Sequence, residues 1–199
     1  TGAGVITSVV DDGINYSHWD LNDNYRHDLD WDFLHNDDDA MPGNDHGTKV
    51  AGVIAAEAND GGVVGIAYEA DLVGYRTGYY SSRIIQALEE AGLNTDIVNN
   101  SYAFTSPFTD NFHSAYYGQL GDSLETGITQ GRGGLGAIYV WSAANNRGDG
   151  DRADYHNLQN SPYTLAVAAT GSDGSYAGWS NPGASLLLAA PGVSVPTTA

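Results

Sequence analysis

The chain has 199 residues, with 25 acidic and 7 basic side chains and a formal net charge of −18. Such a surface repels the phosphates of nucleic acid and of anionic membranes, which lysine and arginine must otherwise neutralise. Without cysteine there are no disulfides, thiolate metal sites or cysteine nucleophiles; no apolar run approaches the ~18 residues of a membrane span; and a 41% hydrophobic content supplies the core of one domain. The acidity is compatible with cation binding, with cationic substrates and with solubility in high salt.

Val5–Val10 is a short β-branched run stopped by Asp11-Asp12-Gly13, which predicts a buried strand ending in a turn. Open α/β sheets place their sites at the carboxyl ends of such strands, although Asp11 and Asp12 read equally as turn formers. Residues 15–46 have little apolar periodicity and many acids, among them Asp20, Asp32, Asp37 and Asp39. A loop of this length in a compact domain is usually functional. Spaced carboxylates are hard-oxygen ligands suited to calcium, with a solvated acidic face as the alternative.

Asn44–Ala58 sets His46 and Gly47 before an apolar, alanine-rich run in which Val50, Ile54 and Ala58 recur at helical spacing. A histidine at a helix N-terminus meets the positive end of the macrodipole, which favours the neutral imidazole that a general base needs. A capping or core histidine is the competing reading. Asn59–Gly65 is a glycine-rich loop able to turn carbonyls inward.

Further strands are expected at Leu72–Arg76, Asp96–Ala103, Ala137–Ala144, Thr164–Ala169 and Leu186–Ala190. Helices are expected at Ser81–Leu93 and 110–128, the latter broken by Gly131-Arg132-Gly133-Gly134. Strands alternating with helices imply a mainly parallel sheet flanked by helices, a three-layer α/β domain. One domain over 1–199 is expected. No signal peptide opens the chain, and both ends read as cut.

Asp11, His46 and Asn145 therefore stand at strand ends or a helix start. An acid orienting a histidine is two-thirds of a serine-protease triad, an asparagine amide can donate to an oxyanion, and aspartate before histidine is the subtilisin order. Val9-Val10-Asp11-Asp12-Gly13-Ile14, His18-Trp19-Asp20-Leu21 and His46-Gly47-Thr48-Lys49-Val50-Ala51-Gly52 together resemble a subtilisin-type serine protease. Gln130-Gly131-Arg132-Gly133-Gly134-Leu135-Gly136-Ala137-Ile138-Tyr139-Val140-Trp141 and Asn160-Ser161-Pro162-Tyr163-Thr164 resemble the kexin and furin branch of proprotein convertases.

The resemblance implies a subtilisin-like fold and a calcium-dependent serine endopeptidase. Asp11 would be the triad acid, His46 the base and Asn145 the oxyanion donor, with Asn146 the alternative one position on. Ser101, Tyr102 and Ala103 would pair with the substrate backbone as an added strand, beside Ala143 and Ala144. Ala144 stands where the family usually has glycine. Asp12 matches an acid that faces a basic substrate residue two before the scissile bond. The convertases' deep basic-pocket acid is replaced by His156, with Asp151 and Asp154 close in sequence. One Ca²⁺ would be held by Asp20, Asn59 and the carbonyls of Glu57, Gly61 and Val63, and a second by Asp32, Asp37 and Asp39.

The resemblance further implies peptide or protein substrates, a monomer and a secreted or extracytoplasmic location. No Gly-Thr-Ser nucleophile motif occurs in the sequence, so the chain is expected to be inactive by itself. A non-catalytic peptide-binding or calcium-stabilised structural domain is the alternative.

Overall fold

A computed structural model describes all residues, Thr1–Ala199. Seven strands form one sheet: β1 (Ile6–Asp11), β2 (Trp31–Asp32), β3 (Asp71–Arg76), β4 (Ile97–Asn100), β5 (Ile138–Ser142), β6 (Thr164–Thr170) and β7 (Leu186–Pro191). Their order is β2-β3-β1-β4-β5-β6-β7, and every pairing is parallel. The helices are α1 (His46–Ala55), α2 (Ser81–Asn94) and α3 (Gly118–Gly134). This is the parallel α/β architecture that the alternation of patterns predicts.

Both faces of the sheet are covered around β1 and β3, as a parallel sheet requires, whereas β7 is largely exposed. On one face Val10, Val73, Tyr75, Val98, Tyr139 and Trp141 pack with Ile84, Leu88, Leu120 and Leu124 of α2 and α3. On the other, Val9 and Leu72 pack with Ile14, Leu21, Ala51 and Ala55. Each such large apolar side chain contributes about 1.5–3 kcal/mol of transfer free energy.

The strands sit within a residue or two of their predicted positions, apart from β4, which stops three residues short of Ala103. β2 lies within the acidic stretch expected to be loop; its two residues pair with Tyr75 and Arg76 of β3. Helix α3 begins at Gly118 rather than near 110, and its path is non-helical at Gly131, Arg132 and Gly133, where the glycine run predicts the break. Helix α1 ends at Ala55, with Ala56 already extended at ψ 137°. Ala58 therefore lies beyond the helix its spacing suggests. The buried face of α1 is Gly47, Thr48, Ala51, Gly52 and Ala55. These small residues let the helix approach the sheet, whereas Val50, Val53 and Ile54 line a cavity.

Candidate active site

β1 lies between β3 and β4, so the chain leaves it in both directions across the sheet, and a crevice opens at its carboxyl end. Asp11 is the last residue of β1 and is fully buried. His46 is the first residue of α1. Its Nδ1 donates to Asp11 Oδ1 across 2.7 Å. An ionised carboxylate can only accept, so in the neutral imidazole the proton sits on Nδ1 and Nε2 is left as an acceptor. The His46 side chain is 47% exposed and lines two cavities, of about 420 and 290 Å³.

The helix N-terminus alone would favour neutral His46. Instead its pKa is raised: the hydrogen bond to Asp11 acts most strongly upward, and partial burial only partly offsets it. A full carboxylate charge at contact outweighs the roughly half-charge of a helix end. Gly47 makes the approach of α1 to β1 possible, since a Cβ there would lie 2.2 Å from the Gly13 carbonyl oxygen.

Sequence reasoning missed a third participant. The Tyr79 hydroxyl donates to Asp11 Oδ1 at 2.7 Å. No periodicity marks Tyr79, but the pairing of Asp11 with Arg76 sends the chain past that carboxylate as it leaves β3. Tyr79 has φ +59°, a left-handed backbone that costs a non-glycine residue about 1–2 kcal/mol.

Asp12 does not face either cavity. It is 7% exposed, and its Oδ1 accepts the Gly47 N–H at 2.7 Å beneath the start of α1. Burial holds its carboxyl above the usual range.

Ser101 lines both cavities, and Tyr102 and Ala103 line the smaller. The Trp141 indole donates to the Tyr102 carbonyl at 2.9 Å and Asn99 donates to the Ser101 hydroxyl at 3.0 Å, which fixes this segment beside His46. Ala143, Ala144 and Asn145 follow β5 and line the larger cavity with His46. Asn145 is exposed. Asn146 has its backbone N–H tied to Asn181 Oδ1 at 2.8 Å and is absent from the cavity wall. Ala144 takes φ +71°, the left-handed conformation that glycine adopts freely.

The proposed calcium residues divide. Asp20 is 1% exposed; one of its oxygens accepts the Val63 N–H at 3.1 Å, while the other is buried without a partner. A Cβ on Gly62, at φ +65°, would lie 2.3 Å from Asp20 Oδ2, so the loop closes on the carboxylate. Glu57 is joined to Asp20 by its backbone N–H. An orphaned buried carboxylate oxygen fits a hard cation. At the second location both Asp32 oxygens are engaged, Oδ1 by the Leu34 N–H and Oδ2 by Arg76 at 2.9 Å and His35 at 2.8 Å. Asp39 accepts from Tyr16. With a guanidinium already on Asp32, these residues do not fit a metal site. Nowhere do three acidic or histidine side chains converge as ligands.

His156 does not open a basic pocket. It is 1% exposed, with Nε2 3.0 Å from Asp151 and Nδ1 3.3 Å from Asp110. Asn181 also donates to Asp151, at 2.9 Å, and Asp154 pairs with Arg152.

A model of the subtilase family matches residues 2–199. The chain is 37% identical to furin-1 of Xenopus laevis over 180 residues, covering 85% of this chain and 23% of that protein. It is 34% identical over 182 residues to proprotein convertase subtilisin/kexin type 6 of Rattus norvegicus, covering 87% and 19%. Its structure resembles the serine protease of Aeromonas sobria in complex with its chaperone, with a TM-score of 0.84 and 26% identity over 96% of this chain and 36% of that one. A cold-adapted subtilisin-like serine proteinase gives a TM-score of 0.79 at 25% identity, over 99% of this chain and 66% of that one. The chain thus spans about a quarter or less of these curated relatives.

Proposed function

The chain belongs to the subtilase family, and from that premise we propose that it is the acid-and-base part of a calcium-dependent serine endopeptidase of the kexin and furin type. The observation that carries the reading is the 2.7 Å contact between His46 Nδ1 and buried Asp11, with Nε2 open to a cavity. Asp11 fixes the tautomer and stabilises the imidazolium, and Nε2 takes the proton of a serine that lies outside these 199 residues. Asn145 donates its amide to the developing oxyanion. In subtilisin itself, the source of the magnitude, loss of this kind of donor costs ~10²–10³ in turnover.

The substrate is an extended peptide that pairs with the backbone of residues 101–103. No aspartate or glutamate lines either cavity, and Asp12, Asp151 and Asp154 are all engaged elsewhere. This argues against a strict requirement for basic side chains. Calcium, held by Asp20 with Glu57, Asn59, Gly61 and Val63, supplies a fixed positive charge that locks the loop after α1. A secreted or extracytoplasmic location suits such a site, because extracellular modules bind calcium at ~10⁻⁴–10⁻³ M.

The test uses the protein encoded by the whole gene. A fluorophosphonate probe should label a serine, and labelling should vanish in His46→Ala and Asp11→Asn. A folded protein that takes no label would instead favour a non-catalytic peptide-binding domain. Chelation should lower the melting temperature, as a native-state ligand at ~100 times its Kd adds about 2.7 kcal/mol. An unchanged melting curve would remove calcium from the proposal.

A further inference from the structure

A proton-transfer pair needs one acid and one base, yet a third group bonds to the acid here. We propose that Tyr79 is a positioning residue for His46, whose hydroxyl takes up part of the Asp11 charge and so weakens the hold of Asp11 on the imidazole proton. The inference rests on the reading of Asp11 and His46 as acid and base.

Tyr79 and His46 donate to the same oxygen, Asp11 Oδ1, each at 2.7 Å, and the two donor atoms are 3.5 Å apart. Asp11 Oδ2 is buried without any partner. The tyrosine therefore bears on the one carboxylate atom that faces the base. A hydrogen bond to a carboxylate stabilises its charge, and every part of that charge satisfied by Tyr79 is unavailable to an imidazolium.

The hydroxyl is held in place from the backbone. Thr77 donates its N–H to the Asp11 carbonyl at 2.9 Å, and Tyr79 donates its own N–H to the Thr77 hydroxyl at 3.3 Å. Gly78 and Tyr79 take φ +58° and +59° in succession. Glycine bears that geometry freely and tyrosine does not, and strain of this kind clusters at reacting centres. The Tyr79 ring packs on Tyr102 at 5.9 Å, and both line the smaller cavity beside His46.

The other ionisable groups facing His46 are already committed. Asp12 accepts from the first turn of α1, and Asp45 pairs with Lys49 at 2.6 Å. Asp11 Oδ1 also accepts the Asp12 backbone N–H at 2.9 Å, which a change at position 79 leaves in place; Tyr79 is thus the one side-chain donor to Asp11 besides His46.

The test is an NMR titration of the His46 imidazole in the protein encoded by the whole gene, in Tyr79→Phe, in Asp11→Asn and in the double variant. Tyr79→Phe keeps the ring against Tyr102 and should raise the His46 midpoint by about half a unit, about threefold in proton affinity. The shift should vanish in the Asp11→Asn background, because the effect passes through that carboxylate. A midpoint that stays or falls in Tyr79→Phe overturns the proposal and leaves the pair intact. A midpoint that fails to drop in Asp11→Asn overturns the acid–base reading itself. Should the phenylalanine variant be poorly folded, Tyr79→Leu gives the same readout.

Discussion

Two histidines in this chain face buried aspartates, and their surroundings could hardly differ more. His46 meets one carboxylate, keeps half of its ring exposed and presents a free Nε2 to a cavity. His156 meets two carboxylates, one at each ring nitrogen, and is sealed from solvent. Both are raised in pKa. For His46 the hydrogen bond it donates to Asp11 dominates. For His156 burial pulls downward most strongly, and Asp110 and Asp151 together overcome it. An aspartate–histidine contact is therefore no sign of catalysis on its own. What separates them is whether a ring nitrogen remains unspent and reachable, and only His46 has one. The second centre is an internal ion cluster that holds the segment after β5, through Asp151 and Asn181, against the elements around Asp110.

The sharpest way to break this comparison is to remove each histidine in turn. In the protein encoded by the whole gene, His46→Ala should lower peptidase turnover by ~10⁴–10⁶; the upper figure is that of the triad histidine of subtilisin, a member of this family. Its stability should fall by only about 1 kcal/mol, because the His46 ring is half exposed and buried Asp11 keeps the Tyr79 hydroxyl and the Asp12 N–H as donors. Assay and chemical denaturation together check both halves, and retained turnover would refute the base assignment.

His156→Ala should behave in the opposite sense. It strands two buried carboxylates, one of which has an oxygen with no hydrogen-bond partner and only the ion-pair approach of His156, and should cost about 3–5 kcal/mol of unfolding free energy. The neutral triple variant His156→Leu, Asp110→Asn, Asp151→Asn should recover much of that loss. If the alanine variant were as stable as the parent, the cluster would not be the structural ion site described above.

pH separates the two centres more finely. Each histidine has a folded-state pKa above its unfolded value of about 6.5. Its stabilisation is complete below that value and is lost as pH rises through the folded-state pKa. Stability should therefore fall as pH rises above about 6.5. Most of that slope should disappear in the neutral triple variant and survive in His46→Ala. Turnover should climb over the same range, since the base must be neutral to accept a proton. A parent protein whose stability rose with pH across this window would contradict both assignments.

How far the sequence reveals this arrangement depends on whether a residue's role is local. Strand ends with a following polar residue made Asp11 and Asn145 visible, and the helix start did so for His46. Tyr79 and Asn181 were invisible because strand register and the return of the chain after β6 bring them in, and neither leaves a periodic mark. The apolar spacing of α1 marks the helix but not the face it buries. The helix buries its glycine and alanine stripe, since close approach to Gly13 leaves no room for larger side chains. The acidic stretch was ambiguous by composition alone: Asp20 keeps an orphaned oxygen while Asp32, an equally plausible ligand, is satisfied by Arg76.

The smallest expected effect lies on the boundary between the two centres, at Ala144. Its carbonyl accepts the Asn181 N–H, Asn181 holds Asp151, and the next residue is Asn145 on the cavity wall. The backbone there is at φ +71°, so alanine bears a strain that glycine would not. Replacing an incompatible alanine by glycine removes that strain but adds freedom to the unfolded chain. The two terms are each of order 1 kcal/mol, and the strain is the larger. Ala144→Gly should therefore stabilise the protein by about 0.5 kcal/mol in chemical denaturation. A loss of stability would mean that the alanine methyl is packed rather than strained. If turnover of the whole-gene protein fell despite a gain in stability, the rigid alanine would be holding Asn145 toward the oxyanion, and the boundary between the centres would be part of the active one.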